Sequence, residues 1–160
     1  MPEKQKETSM IPEPILQMAH AYRLLSELDH DQLRKLLPLL EEKNFEAGAI
    51  IFREGGKASY LHLIVSGEVA LESVVGSTAV PVQKIRPGEA IGWSALTDSE
   101  AAHFRARALT PVETVAFPGE ALRAACDRDP KMGYHLMRQL LETVTERLDA
   151  VRRQLTEKAA

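Results

Sequence analysis

The 160-residue sequence lacks most of the features that would announce a particular chemistry. It has a single cysteine, Cys126, which excludes an intrachain disulfide and a cysteine-based metal cluster and suits a reducing compartment. No apolar run approaches the roughly 18 residues that a spanning helix needs. Its first residues, MPEKQKETSMIPEP, are polar and broken by proline, unlike an apolar signal region. A soluble, cytoplasmic protein is therefore expected, with no membrane partner. Basic charge is not in excess either. The formal net charge is -3, which argues against a general nucleic-acid binder. No Walker loop, HExxH motif or nucleophile elbow occurs, and the five histidines show no metal-site spacing with Cys or Asp. No catalytic residues, metal site or cofactor are expected.

What the sequence does hold is 44% hydrophobic residues, enough for the core of one domain. From Ile15 to Leu40 leucines recur at threes and fours, the spacing of a helix face. Within that stretch SELDHDQL reads as a break and a new helix start, with Asp29 as N-cap and Gln32 as its capping-box partner. Pro38 should make the end of this helix ragged.

From Phe45 to Phe117 glycines punctuate short β-prone runs: AIIF, YLHLIV, EVALESVV, AVPVQKI, HFRARAL and VETVAF. In YLHLIV, Leu61, Leu63 and Val65 share one face, and Tyr60, His62 and Ile64 the other. Runs this short, with so little helix between them, predict an antiparallel sandwich, roll or barrel, not a doubly wound sheet. The segment ALRAACDRD predicts a short helix. The last helix is long, and Tyr134, Met137, Leu141, Val144, Leu148, Val151 and Leu155 step along it at alternating threes and fours, a heptad pattern. Leu136 and Leu140 widen the stripe, so the first turns should also pack on the β domain. Arg147 and its charged neighbours are assigned to the polar remainder. A helix pair at a homodimer interface is the expected use of the stripe, against a helix folded back on its own domain.

The combination F-x-x-G-x-x-I-x-x-E-G at Phe45, Gly48, Ile51, Glu54 and Gly55, followed by LIVSGEV, IRPGEAIGWSAL and TPVETVAF before a short and a long helix, resembles the cyclic nucleotide-binding domain of the catabolite activator family. The resemblance spans roughly residues 22 to 150. It implies a mainly β fold with flanking helices, an eight-stranded antiparallel β-roll of jelly-roll type, and a C-terminal helix that pairs across a dimer. The expected divisions are a flexible segment at 1–14, the N-terminal helices, β-roll and short following helix at 15–130, and a dimerisation helix at 131–160.

The resemblance also locates a pocket. In the family a cassette F-G-E-x-A-L and a following R-[ST]-A segment hold the nucleotide, the Glu taking the ribose hydroxyl and the Arg the phosphate. Here the cassette reads Ile91-Gly92-Trp93-Ser94-Ala95-Leu96. Trp93 replaces the Glu, and the Arg position falls at Ala102, or at His103 if a loop is shifted by one residue. Neither alignment restores the family's pair, and each lost hydrogen bond to a charged group costs about 1.5–3 kcal/mol. The candidate ligand residues are Gly92, Trp93, Ser94, Ala95, His103 and Arg105. His103, Arg105 and Arg107 should share one strand face, where they could hold an anion.

Two functions are open on these residues. The first is a regulatory or sensory module that binds a small anionic or cyclic nucleotide ligand under Trp93 and signals through its homodimer helix. The second is a ligand-independent interaction or scaffold domain whose pocket Trp93 fills. Either would act on a protein partner that the residues do not name. With the chain ending at Ala160, direct sequence-specific DNA binding is not expected.

Overall fold

Helix α1 (His30–Leu36) begins at the cap that its sequence specifies. Asp29 Oδ1 accepts from Gln32 N at 2.8 Å, and Gln32 Oε1 accepts from Asp29 N at 3.0 Å. The computed structural model describes residues 18–99 and 101–159. The expected N-terminal segment at 1–14 and the helix start at Ile15 lie outside the described residues. Before α1 the chain forms a 3-10 turn at Arg23–Leu25, and after it Pro38 sits in a second one at Leu37–Leu39, where the α-helix stops.

Eight strands follow: β1 (Glu41–Phe45), β2 (Ile50–Phe52), β3 (Tyr60–Ser66), β4 (Val69–Val75), β5 (Thr78–Ile85), β6 (Ala90–Ile91), β7 (Arg105–Ala108) and β8 (Val112–Pro118). They form two antiparallel four-stranded sheets, ordered β1-β8-β3-β6 and β2-β7-β4-β5. Six of these strands correspond to the β-prone runs in the sequence. The other two carry no such signal. β1 reads EEKNF because it is an edge strand, paired only to β8 and exposed at most positions. β6 has two residues, too few to show any period. Gly48, Gly55, Gly67 and Gly88, expected at strand junctions, all take positive φ.

Strand β3 separates two cores. Leu61 and Leu63 pack into a cluster with Leu25, Leu33 and Leu36, together with residues of α2 (Gly119–Arg128) and α3 (Pro130–Ala159). Ile64 faces the roll interior with Val69, Leu71, Ile85, Ile91 and Val112. Residues 61 to 64 are all buried, so the period-two pattern of β3 divides the apolar side chains between two cores, not between core and water.

Helix α3 is about 45 Å long at 1.5 Å per residue. Met132, Leu136 and Leu140 join the helical core, as the widened stripe predicted. Tyr134, Met137, Leu141, Leu148 and Leu155 lie on the exposed side. Arg147 is a correction to the sequence reading, because it is only 2% exposed. Burial pushes its guanidinium pKa down, with the carboxylates of Glu89 and Glu146 opposing that shift.

His62 is also buried within the fold. Its Nδ1 lies 3.2 Å from Thr114 Oγ1, and that hydroxyl spends its one proton on Lys43 O at 2.7 Å, so Nδ1 is the donor. Burial first, and the Lys43 charge second, lower the His62 pKa from 6.5 to about 4. A group that titrates lower in the folded state leaves the unfolded chain binding more protons between those values. Stability should therefore be full above pH ~6.5 and fall as the pH drops towards ~4, by about 3 kcal/mol in all. Urea denaturation across that range checks this, and His62→Leu should remove most of the acid slope.

Candidate functional site

The cassette hangs from β3 through the shortest strand of the roll. β6 pairs His62 with Ile91 and Leu63 with Ala90. The chain then turns at Gly92 (φ +89°), where a Cβ would lie 2.5 Å from Tyr60 O, so no other residue fits without moving the backbone of β3. Trp93–Leu96 form a 3-10 turn, closed by Thr97, whose N and Oγ1 both donate to Ser94 O at 3.0 and 2.9 Å. From the other side α2 abuts the turn at Gly119. A Cβ there would sit 2.4 Å from Ala95 O, so two glycines hold the cassette between β3 and α2.

The mouth of the candidate pocket is closed by aromatic rings. Trp93 stacks on His103 with centroids 6.2 Å apart and planes 13° from parallel, and meets Phe104 edge-on at 5.8 Å. Both are favourable ring geometries. Phe52, Leu71, Gly92, Ser94 and Ala102 complete the wall, and the void left among them is about 10 Å³. That is room for no more than one water molecule. Small-molecule sites run to about 300–1,000 Å³. Among the described residues, His103 is the one ionisable side chain lining the void, and Ser94 and Ala102 are buried in its wall.

Of the six residues expected to bind a ligand, Gly92, Trp93, Ser94 and His103 meet at this void, and Ala95 lies behind it against Gly119. Arg105 is elsewhere. Arg105 and Arg107 do share a face of β7, as expected, but both are engaged by Glu72, which stands opposite Arg105 on β4. Arg107 makes a two-oxygen fork, Nε to Oε1 at 3.1 Å and Nη2 to Oε2 at 3.0 Å. Arg105 donates through Nε and Nη2 to Oε1 at 3.2 and 3.0 Å. Glu72 is 2% exposed because the two guanidinium groups cover it. Hydrogen bonds from Arg107 foremost, and from Arg105, hold its carboxyl below the usual range. His103 lies before β7 starts, which frees its ring to turn onto Trp93.

Sequence reasoning missed three groups. Phe52 and Phe104 gave no sign that they wall the pocket, since an apolar residue in a short strand reads as core. Glu72 did carry a signal, a lone carboxylate in the apolar run VALESVV facing the R-A-R of HFRARAL. Arg147 gave none. Among the described residues, no helix is long and apolar enough to cross a membrane, and no three His, Cys, Asp or Glu side chains converge on a metal position.

An eight-stranded antiparallel roll with a 3-10 turn after β6 and a long helix after β8 defines the architecture of cyclic nucleotide-binding modules. The family model for the cyclic nucleotide-binding domain matches residues 42–129, and the chain belongs to that family. A solved structure of a candidate cyclic nucleotide-binding protein from Geobacter metallireducens is 32% identical, with TM-score 0.72, covering 87% of this chain and 99% of that one. The catabolite activator protein of Thermus thermophilus is 23% identical, with TM-score 0.69, over 86% of this chain and 63% of that one. The regulatory subunit of a cAMP-independent protein kinase A from Trypanosoma brucei is 20% identical, with TM-score 0.73, over 89% and 51%. The last two likenesses show the fold. No curated protein matches the sequence.

The packing around Trp93 makes a stability prediction. Trp93→Ala should open the void and cost about 2 kcal/mol, below the 3–5 typical of a fully buried aromatic because Trp93 is half-buried. The urea midpoint should fall with little change in the slope.

Proposed function

We propose that this chain is a regulatory, non-catalytic module of the cyclic nucleotide-binding family whose pocket is filled by its own Trp93, and which works through protein contacts made by a paired C-terminal helix. The observation that carries the reading is the ring stack of Trp93 with His103 and Phe104, which leaves about 10 Å³ where a nucleotide would need hundreds. The charge distribution supports it. Arg105 and Arg107, the first two arginines after the cassette, are neutralised in part by Glu72 and are not among the residues lining the void. The Trypanosoma brucei relative, a regulatory subunit of a cAMP-independent kinase, offers a precedent for this fold serving regulation without that ligand.

Helix α3 supports the pairing. Its heptad residues Leu141, Leu148 and Leu155 are 67%, 58% and 65% exposed in the single chain, with Val144 and Val151 half-buried between them. A stripe of that kind running most of the helix length is what a second copy would cover.

The sensor reading, in which Trp93 stacks on a flat anionic ligand, has one observation in its favour. His103, the outer partner of the stack, is exposed, so turning one side chain would bare the indole face. Titration separates the two readings, because Trp93 is the only tryptophan and reports on the pocket alone. Cyclic AMP, cyclic GMP and cyclic dinucleotides should leave its emission and the melting temperature unchanged. A saturable change with any of them would favour the sensor. Sedimentation at micromolar concentration should give a dimer, and Leu148→Glu a folded monomer. A wild-type monomer would remove the helix pair from the proposal.

A further inference from the structure

Helix α3 carries a cation into the protein interior. Arg147 is buried along with Thr143 and Ala150 of the same helix. Its Nη1 donates to Gln83 Oε1 at 3.1 Å, and its Nη2 to Ala90 O at 3.0 Å. Gln83 lies on β5 and Ala90 on β6, the terminal strands of the two sheets, so the guanidinium sits at a seam that no β-pairing joins. Both acceptors are neutral. They leave Nε buried and without a hydrogen-bond partner among the described residues.

Glu89, in the turn before β6, holds a second atom of this kind. Its Oε2 is buried and likewise has no partner among the described residues. The backbone around it is fixed, because Glu89 O accepts from Ile64 N at 2.9 Å and Glu89 N donates to Arg86 O at 3.2 Å. Burying an N–H of a guanidinium or an oxygen of a carboxylate with nothing bonded to it is among the costlier arrangements in a protein interior.

Arg147 and Glu89 both line a narrow void of about 10 Å³, together with Arg23, Thr143 and Glu146. That volume admits one water molecule and nothing larger. Charge points to the same occupant. Arg23 and Arg147 are balanced around the void by Glu89 and Glu146, so neither an anion nor a cation is favoured there. The occupant has to accept from an N–H and donate to a carboxylate oxygen, and water does both. Thr143 offers a third partner. Its hydroxyl proton goes to Gln139 O at 3.1 Å, which leaves the oxygen able to accept. About three hydrogen bonds is usual for a buried water.

We propose that this void is the binding site of one structural water, which accepts from Arg147 Nε–H, donates to Glu89 Oε2 and gives its second proton to Thr143 Oγ1. The water joins helix α3 to the turn before β6, beside the links that the guanidinium itself makes to β5 and β6. The site lies within one chain and is independent of the Trp93 pocket and of helix pairing.

A crystal structure of the full chain that orders its waters should show a solvent peak about 2.7–3.2 Å from both Nε and Oε2. In solution, a nuclear Overhauser effect from water to the Arg147 Nε–H should carry the sign of a water that tumbles with the protein. Loss of that resonance in Arg147→Lys assigns it. Glu89→Leu removes the carboxylate acceptor, so it should abolish the water signal and speed exchange of the Arg147 Nε–H on the order of tenfold. A void with no solvent peak, or Nε in direct contact with Oε2, would overturn the site. So would a water signal at Nε–H that Glu89→Leu leaves unchanged. The wild-type measurements carry the test if Glu89→Leu does not fold.

Discussion

Strand β3 carries a double obligation on which the rest of the molecule depends. Leu61 and Leu63 must fill the helical core, while Ile64 fills the roll, so the strand is stripped of water on both faces. Burial on both faces requires its backbone groups to find partners within the chain, β8 along one edge and β6 with the preceding turn at Gly88 and Glu89 at the other. The cassette is thereby attached to a strand buried on both faces. Gly92 crosses over Tyr60 O at a distance that no side chain would allow, and Gly119 brings α2 against Ala95 O from behind. The turn is positioned by backbone geometry, and that geometry persists whatever side chain stands at position 93.

The shape of the turn is thus set separately from the chemistry of the side chains that line it. Backbone and glycines set the shape, whereas ligand chemistry would rest on side chains at Trp93 and around Ala102. Trp93 brings a large ring that finds two partners, His103 in parallel and Phe104 on edge, and apolar burial replaces hydrogen bonding. The positive charge nearby is bound internally. Glu72 takes both Arg105 and Arg107, so these side chains stitch β4 to β7 where they would otherwise offer a free anion-binding face.

Helix α3 presents a buried face and an exposed apolar face. The 3.6-residue repeat places Leu136, Leu140, Thr143, Arg147 and Ala150 on one side, and Tyr134, Met137, Leu141, Leu148 and Leu155 on another. The larger apolar stripe in the C-terminal half is the one facing water. On the side of the roll, that half buries Thr143, Arg147 and Ala150, and Val151 and Leu155 line a groove with Val80, Val82 and Phe104.

The fold was largely legible in the sequence because periodicity and turn residues are local. The capping box at Asp29 and Gln32, six of the eight strands, the glycine junctions and both C-terminal helices follow from short-range pattern. β1 and β6 did not show, one because an edge strand can be charged and the other because two residues carry no period. The cassette was legible as Gly92 to Leu96, and so was Trp93 at the position where the resemblance implies a Glu. By itself the sequence determined which chemical groups the cassette from Ile91 to Leu96 has and lacks, since composition is fixed by residue identity. Only the tertiary structure decided that Arg105 belongs to Glu72, that His103 and Phe104 converge on Trp93, and that Arg147 is buried at a seam between sheets. Each of those facts joins residues distant along the chain, and distance in space is set by packing, which no local pattern records.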